Sequence, residues 1–207
     1  MKGLTFDAKT HTYTLKGLPI PSVTQVIAGT QDFLGVSEEV LEAARERGHR
    51  VHALTAMYDR GEVTLRVSAS RTRKEEVAPE IQAYLSAWIQ FRKDADLEPL
   101  VIEELLYSPR YRFAGTVDRV GLLQGSPVIL DIKTAASPGR LHPAVGLQLA
   151  AYQQAYNEGH PPRKVASRLA VQLRPDGKYT LTQYVDKADF SVFLACLTLH
   201  NWRLRHT

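Results

Sequence analysis

The chain has 207 residues, 26 Lys and Arg against 22 Asp and Glu, a formal net charge of +4 and a pI near 9.2. That length suits one domain with a substantial core, and the mild basic excess permits a polyanionic partner without requiring one. One cysteine, Cys196, excludes an internal disulfide and any four-cysteine zinc or iron–sulfur site, and no leader-like or membrane-length apolar run is seen, so a soluble cytoplasmic protein with no membrane partner is expected.

Residues 4–18 alternate apolar and polar positions around Phe6, Tyr13 and Leu15, with a turn at Lys16-Gly17, which predicts a short hairpin. A helix capped by Ser22 or Thr24 follows. Ser37 then caps a longer helix with Glu38 and Glu39 in its first turn and Val40, Leu41, Ala44, Val51 and Leu54 facing inward. It runs to about Tyr58 and carries His49 and His52. Residues 61–79 are irregular and contain Arg66, Arg71, Arg73 and Lys74, which suit a solvated loop or a basic arm on nucleic-acid phosphates.

A helix from Glu80 to about Asp94 repeats Ile81, Tyr84, Leu85, Trp88 and Phe91 at helical spacing, a core stripe. After Pro99, residues 100–107 read as a strand, followed by a turn at Arg110-Tyr111-Arg112. Two β-rich runs, one ending in Asp118 and one over residues 128–134, flank a turn with Gly121 and Gly125. A helix containing Gln148 ends near Gly159. Residues 164–173 and 179–184 form a hairpin over Pro175-Asp176-Gly177. From Asp186 a last helix runs through Phe190, Phe193, Leu194, Leu197 and Trp202, with Cys196 read as a buried small hydrophobe. The long elements run αα, βββ, α, ββ, α: an α/β domain with a mixed central sheet flanked by helices.

The chemistry concentrates in the middle. Strand alternation puts Ile129, Asp131 and Lys133 on one face and Val128, Leu130 and Ile132 on the other. Asp131 follows an apolar run, so it is expected in a largely buried strand, where a charge is costly unless paired or metal-bound. Asp118 on the neighbouring strand supplies a second carboxylate. Two acidic oxygen donors beside a lysine suit Mg²⁺-assisted attack on a phosphodiester. Gln148 and Tyr152, four apart, share a helix face.

In order along the chain stand Gly48-His49-Arg50-Val51-His52, Gly115-Thr116-Val117-Asp118, Asp131-Ile132-Lys133 and a Gln148 to Tyr152 pair. In these the sequence resembles the PD-(D/E)XK nuclease superfamily, in its RecB-like and phage exonuclease-like branch. The opening His11-Thr12-Tyr13 and Pro21-Ser22-Val23-Thr24 are similar to the start of phage-encoded members.

The resemblance implies a restriction-endonuclease-like core within one domain. Its parts would be an N-terminal hairpin and helices (1–98), a catalytic sheet and helix (99–160), and a C-terminal hairpin and helix (161–207). It further implies Mg²⁺ or Mn²⁺ held by His52, Asp118, Asp131 and the carbonyl of Ile132, with His49 as the rival to His52. Lys133 would orient or deprotonate the attacking water, and Gln148 and Tyr152 would hold the DNA backbone or orient Lys133. Glu103, four residues before Tyr107, is an accessory candidate, with at most one of Glu103 and Glu104 facing the site. Arg45, Arg47, Arg110, Arg112 and Arg119 are candidate phosphate contacts. The implied activity is a DNA exonuclease of phage or prophage recombination, repair or end processing. The alternatives are an endonuclease or an inactive DNA-binding module. Homo-oligomers or a recombination partner are compatible, and the missing cysteines separate the chain from cluster-containing relatives.

Overall fold

The computed structural model describes residues 3–30, 37–63, 79–137 and 139–206. Most of the basic 61–79 segment, with Arg66, Arg71, Arg73 and Lys74, lies outside the described residues. The N-terminus forms three antiparallel strands where one hairpin was expected, β1 Leu4–Asp7, β2 Thr12–Leu15 and β3 Leu18–Ile20, paired in that order. Helix α1, Val23–Ile27, is capped by Ser22 in a full capping box with Gln25.

The second sheet has five strands in order: β4 Leu97–Ser108, β5 Phe113–Leu123, β6 Ser126–Thr134, β7 Ser167–Leu173 and β8 Tyr179–Tyr184. All neighbours are antiparallel except β6 and β7, which run parallel because helix α4, Ala144–Gly159, makes the crossover between them. This is the mixed sheet expected. Helices α2 (Glu38–Asp59) and α3 (Pro79–Asp94) cover one face, and α1, α4 and α5 (Asp189–His206) the other.

The α3 stripe is core as predicted: Ile81, Tyr84, Leu85, Trp88 and Phe91 are buried with Val128, Leu130 and Ile132 of β6. Each such side chain contributes roughly 1.5–3 kcal/mol by leaving water. Ile129 packs on the opposite side with α4, so the alternation along β6 is the predicted one.

Several expectations fail at the periphery. Helix α2 buries only its C-terminal part, around Val51, Thr55 and Ala56, and Val40 is 59% exposed. Trp202 ends the α5 stripe in solvent, and Cys196 is half-buried against the core. Pro99 lies inside β4, which is an edge strand, where a proline is tolerated, and the register slips beside it.

Gly121 is not in the turn. The β5–β6 connection is the two residues Gln124 and Gly125, with φ of 50° and 76°, and Gly121 sits within β5. A Cβ there would stand 2.5 Å from the Glu98 carbonyl oxygen, next to the β4 register slip. Gly121→Ala is therefore expected to destabilise by about 1–3 kcal/mol through displaced backbone, measurable by chemical denaturation.

Candidate active site

The β5–β6 ladder runs from Leu123–Ser126 to Arg119–Leu130 and stops there. Beyond that point β6 stays with β7 and β5 with β4, so the two strands part. Asp118 and Asp131 are the first residues of the fork. The Asp118 carboxylate bridges it, its Oδ2 accepting the Ile132 N–H at 2.6 Å, which brings the Ile132 peptide beside Asp118. Both carboxylates are buried, Asp118 at 7% and Asp131 at 2% exposure.

Two further donors approach Asp118. His52, on the buried end of α2, places Nδ1 3.3 Å from Asp118 Oδ1 and 3.7 Å from Glu103 Oε1. Among the described residues, His52, Glu103 and Asp118 form a group whose ligating atoms all lie within 4.8 Å of one another. Glu103 holds this position from a φ of +52°, between the paired positions Ile102–Arg119 and Glu104–Val117. Such a conformer costs a non-glycine residue of order 1–3 kcal/mol, and surrounding contacts must hold it. Glu104 takes the other side and nears His160 at 3.7 Å. His49 lines the cleft but is outside the group.

Asp131 is not in that group. Its Oδ2 meets Lys133 Nζ at 2.8 Å. Lys133 also donates to Gln148 Oε1 at 3.1 Å, and Gln148 Nε2 donates to the Tyr152 hydroxyl at 3.2 Å. An ammonium can only donate, so it turns the amide oxygen of Gln148 toward itself and the NH₂ toward Tyr152. The Tyr152 ring lies where a Gly115 Cβ would stand, 2.5 Å from Cε1. That gives a steric reason for glycine at the head of the Gly-x-x-Asp segment. Gln172, across the parallel ladder from Lys133, is buried as well; sequence reading passed over it.

The charges set the proton inventory. For His52, burial opposes protonation, but the carboxylates of Asp118 and Glu103 outweigh it and raise the imidazole to about 10. Burial also raises Asp118, yet His52, Lys133 and the Ile132 N–H together hold it below the usual carboxylate range. In Asp131 burial wins: even with Lys133 alongside, the carboxyl rises to about 6. Lys133 is disfavoured as a cation by burial and nonetheless held above its ordinary value by Asp131 and Asp118. Burial pushes the Tyr152 phenol well up.

Behind the site lies a buried network that sequence reading missed. Arg119, fully buried, reaches Asp59 Oδ2 at 2.6 Å, Glu103 Oε1 at 3.1 Å, the Asp118 carbonyl at 2.6 Å and Thr55 Oγ1 at 3.2 Å. Asp59 also accepts from Trp88 Nε1 at 3.0 Å and Arg92 at 2.7 Å. Arg119 is therefore no phosphate contact. It ties α2 to β4 and β5 and holds Glu103 toward His52. Arg112 lines a separate groove with Pro19 and Arg205, and Arg110 lies over the Tyr111 ring. Arg45 does line the cleft, paired with Glu38 and Glu42, whereas Arg47 does not line it.

The cleft has a volume of about 880 Å³ and is floored by His52, Glu103, Asp118, Lys133 and Tyr152. A family model of the PD-(D/E)XK nuclease superfamily matches residues 28–195.

The chain belongs to that superfamily.

Nucleases of this superfamily use divalent metals, and the group of His52, Glu103 and Asp118 is chemically suited to one: an imidazole and two carboxylates, with strand backbone beside them. The fold is similar to that of a protein provisionally named an exonuclease from Eubacterium rectale, with a TM-score of 0.52 and 12% identity over 90% of this chain and 73% of that one. An alkaline exonuclease from Laribacter hongkongensis aligns with a TM-score of 0.48 and 14% identity over 89% of this chain and 87% of that one. No curated protein matches the sequence. No helix among the described residues is long and apolar enough to cross a membrane.

Proposed function

We propose that the chain is a Mg²⁺- or Mn²⁺-dependent deoxyribonuclease, one domain over 1–207, that degrades DNA from an end. The observation that carries this reading is the parting of β5 and β6 at Asp118 and Asp131. It puts the Asp118 carboxylate, the His52 imidazole and the Lys133 ammonium on one open cleft, with the buried Asp131 carboxylate paired to Lys133. His52, Asp118, Asp131 and the Ile132 carbonyl remain the proposed metal donors, joined by Glu103. The metal, when bound, would supply an acidified water and a charge for the phosphate oxygens.

The chain's own groups do the rest. Lys133, held above its ordinary value by Asp131 and Asp118, would orient water and offset charge on phosphate oxygens. Asp131 and Gln148 fix its position, and Tyr152 fixes Gln148. The motif residues serve exo- and endonucleases alike, and the exonuclease reading rests on the resemblance to the phage exonuclease-like branch.

Purified protein would be incubated with end-labelled linear duplex and closed circular DNA, with Mg²⁺, Mn²⁺ or EDTA. Mononucleotides from linear DNA alone, lost in EDTA, are expected. Cut circles would replace the exonuclease reading by an endonuclease one. Binding without cleavage would favour an inactive DNA-binding module.

Metal affinity carries a defined pH dependence. His52 is protonated up to about 10 and must lose that proton to ligate. Mn²⁺ affinity is expected to rise as pH increases from about 6.5 toward 9, approaching tenfold per unit. Calorimetric titration should show this slope and its flattening in His52→Gln. In the metal-free protein the sign reverses. A His52 pKa raised above 6.5 gives stability that is fully present below that pH and lost as pH rises through about 10.

A further inference from the structure

One wall of the cleft is left unused by the chemistry above. The cleft is lined on the meander side by Phe6, His11 and Tyr13, and on the α2 side by Ala53, Ala56 and Met57. Tyr13 belongs to a small core and is anchored by a 2.8 Å hydrogen bond between its hydroxyl and Thr116, two residues before Asp118. Phe6 lies against it, ring centroids 4.6 Å apart. His11 is different: it is exposed, outside that core, and meets Phe6 edge-on at 5.1 Å and 86°.

The turn that carries His11 is built to hold it. Asp7 Oδ1 accepts the N–H groups of Lys9 at 2.8 Å and Thr10 at 3.4 Å, and Thr12 Oγ1 donates to the Thr10 carbonyl at 3.1 Å. His11 itself stands at a φ of +51°, a conformation uncommon outside glycine. Core packing gives no reason for this, because His11 takes no part in the core. An edge-on pair also leaves at least one ring face uncovered by the partner, and both side chains line the cleft.

We propose that Phe6 and His11 form a base-stacking subsite that receives one unpaired nucleobase next to the phosphate bound over Asp118 and Lys133. The subsite rests on the nuclease reading of the same cleft. The rings on one wall and Ala53, Ala56 and Met57 on the other offer apolar surface to a planar ligand. The cleft volume, about 880 Å³, lies within the roughly 300–1,000 Å³ range of compact ligand sites. A base inside a duplex is already stacked on both faces, so the strand that enters must be single-stranded or opened at its end. Stacking is indifferent to base identity, which suits cleavage without sequence preference.

The test measures binding in EDTA, where no cleavage occurs, by anisotropy with a short end-labelled single strand. The same strand carrying an abasic site at each successive position is compared. One abasic position near the end should weaken binding to the wild-type protein by about 5- to 100-fold. Phe6→Leu, which keeps apolar volume, and His11→Ala, at an exposed position, should each lose a large part of that factor. Neither should change affinity for the abasic strand or the salt dependence of binding, because no phosphate contact is removed. Equal losses on both strands, no loss in either variant, or indifference to every abasic position would overturn the subsite. If the wild type still cuts DNA in Mg²⁺ or Mn²⁺ in that case, the nuclease reading stands and the subsite alone fails. A wild-type protein that neither binds nor cuts nucleic acid overturns both.

Discussion

Replacement of Lys133 by methionine is expected to lower phosphodiester cleavage by roughly 10²–10³-fold or more under the proposed mechanism, the cost of removing one preorganised charge from the transition state. The methylene stem is kept, so packing between β6 and α4 survives. The loss falls on the ammonium, which is fixed by the Asp131 carboxylate and the Gln148 amide oxygen. A second consequence separates this variant from simple misfolding. Asp131, 2% exposed and already raised to about 6, would have no cation beside it, and its carboxyl would climb further. A raised carboxyl destabilises the fold in its charged form, so the stability deficit appears as pH rises above about 6 and fades below it. Thermal melts at acid and alkaline pH, beside cleavage rates at saturating Mg²⁺, would show this. Full activity in the methionine variant would remove Lys133 from the mechanism.

Arg119→Met is expected to cost about 3–5 kcal/mol of stability, the largest structural effect of any single change considered. The side chain is wholly buried and serves Asp59, Glu103, Thr55 and the Asp118 carbonyl at once. Its removal leaves Asp59 buried with Arg92 and Trp88 but without its closest partner. Methionine fills similar volume and satisfies none of the acceptors. Glu103 would also lose an anchor against its left-handed backbone, so metal affinity should weaken in the fraction that folds. Denaturant unfolding reads the first effect and Mn²⁺ titration the second. A loss below about 1 kcal/mol would mean that water or Arg92 replaces the contact. The contrast between the two variants is diagnostic: one removes chemistry and largely spares the fold, the other undermines the frame.

Much of this was legible in the sequence because periodicity reports burial directly. Alternation along residues 128–133 separated the Ile129, Asp131 and Lys133 face from the Val128, Leu130 and Ile132 face, and both sheet faces follow it. Helical spacing in residues 81–91 identified the α3 core stripe. The four-residue spacing of Gln148 and Tyr152 put them on one face of α4, where they form a single hydrogen-bonded relay to Lys133. Such inferences depend only on local geometry, 3.6 residues per helical turn and two per strand repeat.

Periodicity misled where an element outruns the body it packs on. Val40 and Trp202 keep the spacing of their helices but lie exposed, at 59% and 52%, near the helix ends. Gly121 looked like turn punctuation; its actual reason, the Glu98 carbonyl 2.5 Å from an added Cβ, belongs to another strand.

The sequence by itself therefore determined the element types, the mixed sheet, the superfamily and the side chains grouped along β5, β6 and α4, since each follows from neighbours along the chain. Tertiary structure alone decided the rest. The β5–β6 ladder breaks at Asp118 and Asp131. Glu103, the glutamate already favoured as accessory candidate, is brought to His52 by a left-handed backbone. Arg119 faces inward to Asp59, and the N-terminal rings form a wall of the cleft. Each is a contact between residues 14 to more than 100 positions apart, such as Ile132 with Asp118 and Tyr13 with Thr116, and no local propensity encodes which of two faces such a residue will meet.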